Sequence, residues 1–310
     1  MNDQHEGWIR AGIGQAPALR WNYSLEGQLT HLAVAWETDE TLAADDAGGL
    51  YLFDRRGTLI RMTRGYPNIR GLAFAASGEI ALVAFNETHL ALFDRSLRQT
   101  WRTELYDQIT AVALDPFGRH MGVALRGRQL HIMTIGRKYV AELEMVRPIR
   151  FIRFATTRPY LVAAADDGLL AGIEFLGTLD WETRLFSTAG DLAINGNASL
   201  ILLPSFSHGL QCFNARGRSR GTLVVEGSIY RVATSFSGEV LVAATLEGNI
   251  YRLDRDGHLQ WASDVGEEIA SICLDADGQA ATIGLARGRV LRLDWREQPL
   301  LEEDLGEGTL

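Results

Sequence analysis

The sequence predicts an all-β fold, a seven-bladed β-propeller with four antiparallel strands per blade, and three observations carry that reading. A 40-residue period runs without a gap through seven units that start at Leu29, Ile69, Ile109, Ile149, Ala189, Ile229 and Ile269. Turn residues recur in register, with Gly78, Gly118, Gly238 and Gly278 in one column and Gly48, Gly168, Gly248 and Gly288 in another. Each unit holds four runs of 6 to 8 residues rich in Val, Ile, Leu and Tyr, which is the length and composition of strands. A helical solenoid of similar period would need longer runs with 3.6-residue spacing, and none is present.

Taken in order, the unit from Ile229 shows the elements most clearly: IYRVATSF, EVLVAAT, NIYRLD and HLQWAS, separated by SG, LEG and RDG. Gly and Asp between apolar runs favour tight hairpin turns. A further turn column closes the third run and reads Asp54, Asp94, Thr134, Glu174, Asn214, Asp254 and Asp294. The fourth run carries Trp21, Trp101, Trp181 and Trp261 at 80-residue intervals, with Arg61, Ala141 and Gly221 in the units between. Large aromatics on outer strands are expected to wedge between neighbouring blades.

Ring closure is the next physical requirement, because an open array exposes two sheet edges. The segment 19–25, LRWNYSL, lies in fourth-strand register with no first three strands of its own, so it is predicted to pair with Val290 to Trp295. Leu300 to Leu305 competes for the same slot. Trp21, the aromatic of the repeat, favours the N-terminal segment. The expected organisation is one propeller domain over 1–310, with a closing strand at 19–25, blades over 29–297 and an acidic tail over 298–310.

Composition narrows the function classes. The chain has 310 residues, 46% of them hydrophobic, and no run of 18 apolar residues, so a folded protein without a membrane-spanning helix is expected. MNDQHEGWIR has neither a basic nor an apolar leader region, and two cysteines, Cys212 and Cys273, cannot make a disulfide framework; both point to the cytoplasm. A net charge of −9 argues against a general nucleic-acid binder.

The run EGNIYRLDRDGHLQW, echoed by GGLYLFDRRGTLI and by GTLDW at 177–181, resembles the bacterial PQQ-like propeller repeat. It is similar, less closely, to WD40-type repeats, which end the third strand in Trp-Asp where this chain has only the reversed Asp294-Trp295. The quinone-dependent dehydrogenases that the resemblance brings in have eight blades, a vicinal Cys pair, a calcium site and a secretory signal, and the related outer-membrane assembly lipoproteins have a lipobox Cys. This sequence shows none of these features. The resemblance therefore implies a cytoplasmic, cofactor-free interaction platform.

Catalytic signatures are not found. The seven histidines, at 5, 31, 89, 120, 131, 208 and 258, form no HExxH, and there is no CxxC and no G-x-S-x-G. Asp45-Asp46 and Asp166-Asp167 precede Gly48 and Gly168 and read as turn residues. Gly12-Ile13-Gly14 has Pro17 where a third glycine would be needed for a dinucleotide fingerprint. No catalytic residue, metal ligand or cofactor is expected, and short connections throughout leave no lid.

Three groups of residues are candidates for binding. In the innermost strand, one column reads Ala33, Ala73, Ala113, Arg153, Ala193, Ala233 and Cys273, and the column two residues earlier reads His31, Gly71, Ala111, Phe151, Asp191, Arg231 and Ser271. His31, Phe151, Arg153, Asp191 and Arg231 thus gather at a channel mouth. They form either an Asp191–Arg231 ion pair with Arg153 solvated, or a seat for a small anionic ligand. Second, nine cations against two acids between Arg119 and Arg158 give that window +7 and leave −16 on the rest of the chain. Arg126, Arg128, Arg147 and Arg150 are its candidate contacts. Third, Tyr66, Tyr106, Phe186 and Phe206 in connecting loops are candidate aromatic anchors.

The function expected is a non-catalytic protein-interaction scaffold or assembly subunit whose partner is a protein with an acidic surface, or a second copy of the chain. A small-ligand sensor or enzyme at the channel mouth is the alternative, and binding of a nucleic-acid backbone by the basic sector is a second one.

Overall fold

Short apolar runs separated by Gly and Asp turns fold each 40-residue unit into a four-stranded antiparallel meander. A computed structural model describes residues 7–296. Blade 1 consists of Leu29–Val34, Thr41–Asp45, Leu50–Phe53 and Leu59–Thr63, hydrogen-bonded in that order from the central axis outward. The pattern recurs around a ring of seven sheets. Second and third strands are buried on both faces because blades stack on either side, so they read as continuous apolar runs; all six residues of Tyr160–Ala165 are buried. Fourth strands face solvent and alternate, as Gln99–Glu104 does.

Closure follows the expected route. Ala18–Ser24 is the fourth strand of blade 7 and pairs antiparallel with Arg289–Asp294, so the sheet that ends the ring is completed from the N-terminal side. Leu300 to Leu305 lies outside the described residues.

The turn after each third strand shows why its residues recur. Asp54 accepts hydrogen bonds on Oδ1 from the N–H groups of Arg56 (2.8 Å) and Thr58 (2.9 Å), and Asp94, Asn214 and Asp254 do the same in their blades. Three residues after the Asp position the backbone is left-handed, with φ of 81° at Gly57 and 66° at Gly217. Glycine is favoured there twice over, since a Cβ on Gly57 would stand 2.3 Å from the Trp21 ring, and one on Gly217 2.3 Å from the Trp181 ring.

The tryptophans are therefore wedges. Each packs its ring against the following blade, and Trp101 and Trp181 donate from Nε1 to the carbonyls of Ile135 and Ala215 there, both at 2.9 Å. Trp261 is wholly buried, for a reason outside the repeat. A short helix, Gly7–Ala11, and a two-residue strand, Ile13–Gly14, lie on the outer edge of blade 6, where Ile13–Gly14 adds a fifth strand beside Leu259–Asp264. Trp8 and Trp295 then flank the Trp261 ring, with centroids 6.1 and 5.6 Å away.

Two irregularities shape the axis. In blades 1, 2, 3, 6 and 7 the first strand carries a β-bulge one residue after its start, at Thr30, Arg70, Thr110, Tyr230 and Ala270. In blade 5 the first strand shrinks to Ala193–Ile194, shorter than the unit starting at Ala189 led one to expect. Its register, extended, sets Asp191 opposite Pro204, whose nitrogen has no hydrogen to donate, and the ladder is interrupted there, resuming only as a bridge between Ala189 and Ser205.

The loops divide between two faces. Connections between blades, and between second and third strands, lie on one face, termed upper here; the remaining turns lie on the lower face. Around the axis on the lower side, backbone hydrogen bonds link blade to blade, from Glu37 to Ala76, Ala76 to Pro116, Thr156 to Gly196, Gly196 to Phe236 and Phe236 to Ala276. Pro116, which lacks an N–H, donates no bond to blade 4.

Candidate functional site

The first strands surround an axial channel of about 690 Å³. Small residues at Ala33, Ala73, Ala113, Ala193 and Ala233 keep it open, and Cys273 occupies the same column. The Cys273 thiol is pushed up to about 12 by burial, which makes it a poor nucleophile at neutral pH.

The structure brings together at the upper mouth all five channel residues read from the sequence, His31, Phe151, Arg153, Asp191 and Arg231, and adds Arg70, Arg150 and Phe206. The ion pair differs from the one expected. Asp191 bonds Arg153, Nη2 to Oδ1 at 3.2 Å, and not Arg231. The cause lies in the interrupted strand of blade 5: Asp191 turns its carboxylate to the N–H groups of Leu192 (2.8 Å) and Val232 (3.3 Å). Arg231 instead donates to the carbonyls of Ala270 (2.7 Å) and Gly190 (2.8 Å), and stacks 4.4 Å over the Tyr230 ring.

His31 stands in this mouth with its Nδ1 buried and without a hydrogen-bond partner. Its pKa is lowered to about 4, first by burial and then by the positive charges of Arg231, Arg150 and Arg70, against a backbone contact at Arg70 that acts in the opposite sense. At neutral pH the ring is uncharged.

The basic sector is less uniform than its sequence. Arg126 donates to Gln108 (2.8 Å), Arg128 pairs with Glu144 (2.7 Å), and Arg147 pairs with Asp167. Arg150 is exposed and has neither an ion pair nor a side-chain hydrogen bond among the described residues. On the lower face, Arg119, Arg137 and Arg158 of the same window lie over the rings of Phe117, Trp101 and Tyr160, at 5.9, 5.6 and 3.7 Å. The +7 window is thus split between both faces and largely partnered.

Three of the aromatic candidates are exposed on the upper face, Phe186 at 100%, Tyr106 at 70% beside the His131 ring, and Phe206 at 40%. Tyr66 is not. Its ring packs edge-on against Phe85 and Phe93, at 5.3 and 4.9 Å, and belongs to the core between blades 1 and 2. Val146, Val224 and Leu246 are exposed on the same upper face and, being aliphatic, fall outside the aromatic candidates.

Asp45 and Asp46 act in their turns, Asp45 accepting from Gly49 N–H and the Tyr51 hydroxyl, both at 2.7 Å, and Asp46 from Gln28 N–H at 2.8 Å. No three His, Cys, Asp or Glu side chains gather as a metal cluster among the described residues. An acid–base pair away from the mouth, Asp115–His120, 2.8 Å apart, lines a lower-face pocket of about 320 Å³. No Ser, Thr or Cys side chain hydrogen-bonds that imidazole among the described residues.

No helix among the described residues is long and apolar enough to cross a membrane. No protein-family model matches the chain, and no curated protein matches it. Many solved structures do. One is the beta-propeller domain of Cps50 (Swd1) from Myceliophteria thermophila, with a TM-score of 0.73 and 17% identity over 90% of this chain and 99% of that one. At that identity the likeness shows the fold alone, a β-propeller, here of seven blades.

Proposed function

We propose that this protein is a non-catalytic interaction scaffold that holds an acidic protein partner on its upper face. The observation that carries the reading is the gathering of Tyr106, Val146, Phe186, Phe206, Val224 and Leu246 there, exposed on the successive connections of blades 2 to 6. Apolar and aromatic anchors interleaved with arginines are the composition of a protein interface core, and isolated exposed side chains are not. Arg147 and Arg150 between those anchors favour a partner with carboxylates opposite them. The lower face also exposes Phe117, Leu176 and Phe236 in hairpin turns of blades 3, 4 and 6, half as many as the upper set.

The test is affinity purification of tagged protein from its native cell, with Phe186→Ser/Phe206→Ser as the upper-face variant and Leu176→Ser as the lower-face control. The expected result is a stoichiometric partner that is lost with the upper-face variant, retained with the control, and weakened as salt rises. A partner retained by the upper-face variant, or no stoichiometric partner at all, refutes the reading.

A further inference from the structure

Four arginines reach the upper mouth of the channel, and their donors are unequally committed. Arg153 is neutralised by Asp191, and Arg231 is fixed in place by two backbone carbonyls. Carbonyls orient a guanidinium without cancelling its charge, so Arg231 remains a cation held rigid at the rim. Arg150 has no side-chain partner among the described residues, and the nearest carboxylate oxygen to Arg70, Glu87 Oε1, is 3.9 Å away.

Backbone geometry explains how these side chains arrive there. Arg70 is the extra residue of the bulge between Ile69 and Gly71; Arg150 holds the equivalent position in blade 4, directly before Phe151–Phe154, which pairs without a bulge. A bulge turns its residue out of the regular alternation and re-aims the side chain. The same position in the other blades holds Thr30, Thr110, Gly190, Tyr230 and Ala270, so only blades 2 and 4 send a cation from it. Charge balance at the mouth is the reverse of that of the whole protein: Arg70, Arg150, Arg153 and Arg231 face Asp166 and Asp191, in a chain of net charge −9. Glu87 and Glu268 stand further out on the rim, with Glu268 engaged by the Tyr230 hydroxyl at 3.2 Å. Neutral partners are present too, since the Ser271 hydroxyl is uncommitted and the His31 Nδ1 is buried without one.

We propose that the upper mouth of the channel binds a small dianionic oxyanion, a phosphate or sulfate group, with Arg70 and Arg150 as its mobile clamps and Arg231 as its fixed cation. Guanidinium groups suit this ligand because they present paired N–H donors to paired oxygens. Clamps from blades 2 and 4 against a fixed group from blade 6 approach the axis from separate directions, so the oxygens of a tetrahedral anion can each find a donor. The site requires no protein partner, and it stands or falls independently of the scaffold reading.

Isothermal titration of the full chain with inorganic sulfate, inorganic phosphate and phenyl phosphate at low ionic strength tests the assignment. Saturable binding is expected, weakened about tenfold by Arg150→Gln and by Arg70→Gln, as loss of one charge-assisted contact implies, and abolished in the double variant. Arg56→Gln, an exposed position on the lower face, should bind like the wild type. Tighter binding of phenyl phosphate than of phosphate assigns the site to an organic phosphate ester, and equal or weaker binding assigns it to the free ion. Absence of saturable binding at millimolar anion, or wild-type affinity in the Arg70→Gln/Arg150→Gln variant, overturns the proposal. Both side chains are exposed, so thermal melts of the unliganded variants should match the wild type and leave the binding result unambiguous.

Discussion

Replacing Trp261 with Ala removes the largest wholly buried side chain among the described residues and tests how the ring is wedged. Truncating a buried Trp costs about 3–5 kcal/mol. Two features of the site place the loss inside that range. Contacts with Trp8 and Trp295, 6.1 and 5.6 Å between centroids, raise it, since aromatic pairs add about 0.5–1.5 kcal/mol each beyond burial. The Nε1 of Trp261 has no hydrogen-bond partner, so no hydrogen bond is lost and removal of that buried donor offsets about 1 kcal/mol. The expected net loss is about 4 kcal/mol, read as a fall of roughly 8 °C in Tm at about 2 °C per kcal/mol for a large domain. Trp181 is only partly buried, so Trp181→Ala should cost less, about 3 kcal/mol, although it also leaves the Ala215 carbonyl without its donor. Guanidinium unfolding followed by far-UV circular dichroism gives both values. A double-mutant cycle with Trp8→Ala should show coupling of about 1 kcal/mol. Near-wild-type stability in Trp261→Ala, or no coupling to Trp8, would refute the account of the N-terminal helix as the cover of blade 6.

Three further outcomes follow from the same geometry. Deleting residues 1–25 removes Ala18–Ser24 and bares the edge of Arg289–Asp294, so the product should aggregate or dimerise on size-exclusion chromatography; a stable monomer would show that another segment closes the ring. Gly217→Ala should lower stability by about 2–4 kcal/mol, because it joins a left-handed φ of 66° to a Cβ 2.3 Å from the Trp181 ring; a neutral effect in thermal melts would disprove the wedge contact. For His31, whose pKa is about 4 folded and 6.5 unfolded, the unfolded chain takes the proton first, so stability present above about pH 6.5 is lost as pH falls toward 4. Unfolding of His31→Asn across that range should show a shallower acid loss, with the remainder including His131, also lowered by burial; an unchanged slope would show that His31 is charged in the folded protein.

The blades were legible in the sequence because their turns admit few residues. Asp54 and its equivalents hold their own turn backbone, and Gly57 and Gly217 answer at once to a left-handed φ and to a tryptophan ring, although Leu97 and Arg137 take the same left-handed position in blades 2 and 3. Closure was legible for the same reason, since Trp21 sits in the register of the wedge. The N-terminal cover was not, because Ile13–Gly14 is two residues long and outside the period, and nothing in Trp8 distinguishes a partner of Trp261 from any other aromatic. At the channel, strict alternation pointed to the columns of His31 and Ala33 and passed over the column of Thr30, Arg70 and Arg150, one residue before His31. In blade 2 a bulge turns that column to the mouth, which is how Arg70 escaped notice, while Arg150 was read only as part of the basic sector. The Asp191 pairing was hidden for a related reason. It depends on Pro204 breaking the ladder one strand away, a consequence visible only once the register between the two strands is known.

The two faces therefore differ in kind. On the lower side, backbone N–H and carbonyl groups satisfy one another from blade to blade around most of the axis, which fixes the loops and leaves little polar capacity for a ligand. On the upper side the bulges interrupt the first strands just where the channel opens, and side chains take over the work of filling and charging the mouth. Rigid blades beneath and exposed side chains above set the cost of change: substitutions at the exposed Arg70, Arg150 or Phe186 cost the fold little, whereas substitutions at Gly217 or Trp261 change the fold first. A partner surface and an anion site on the same upper face are consistent with that division, because only there can the sequence vary without unlocking the ring.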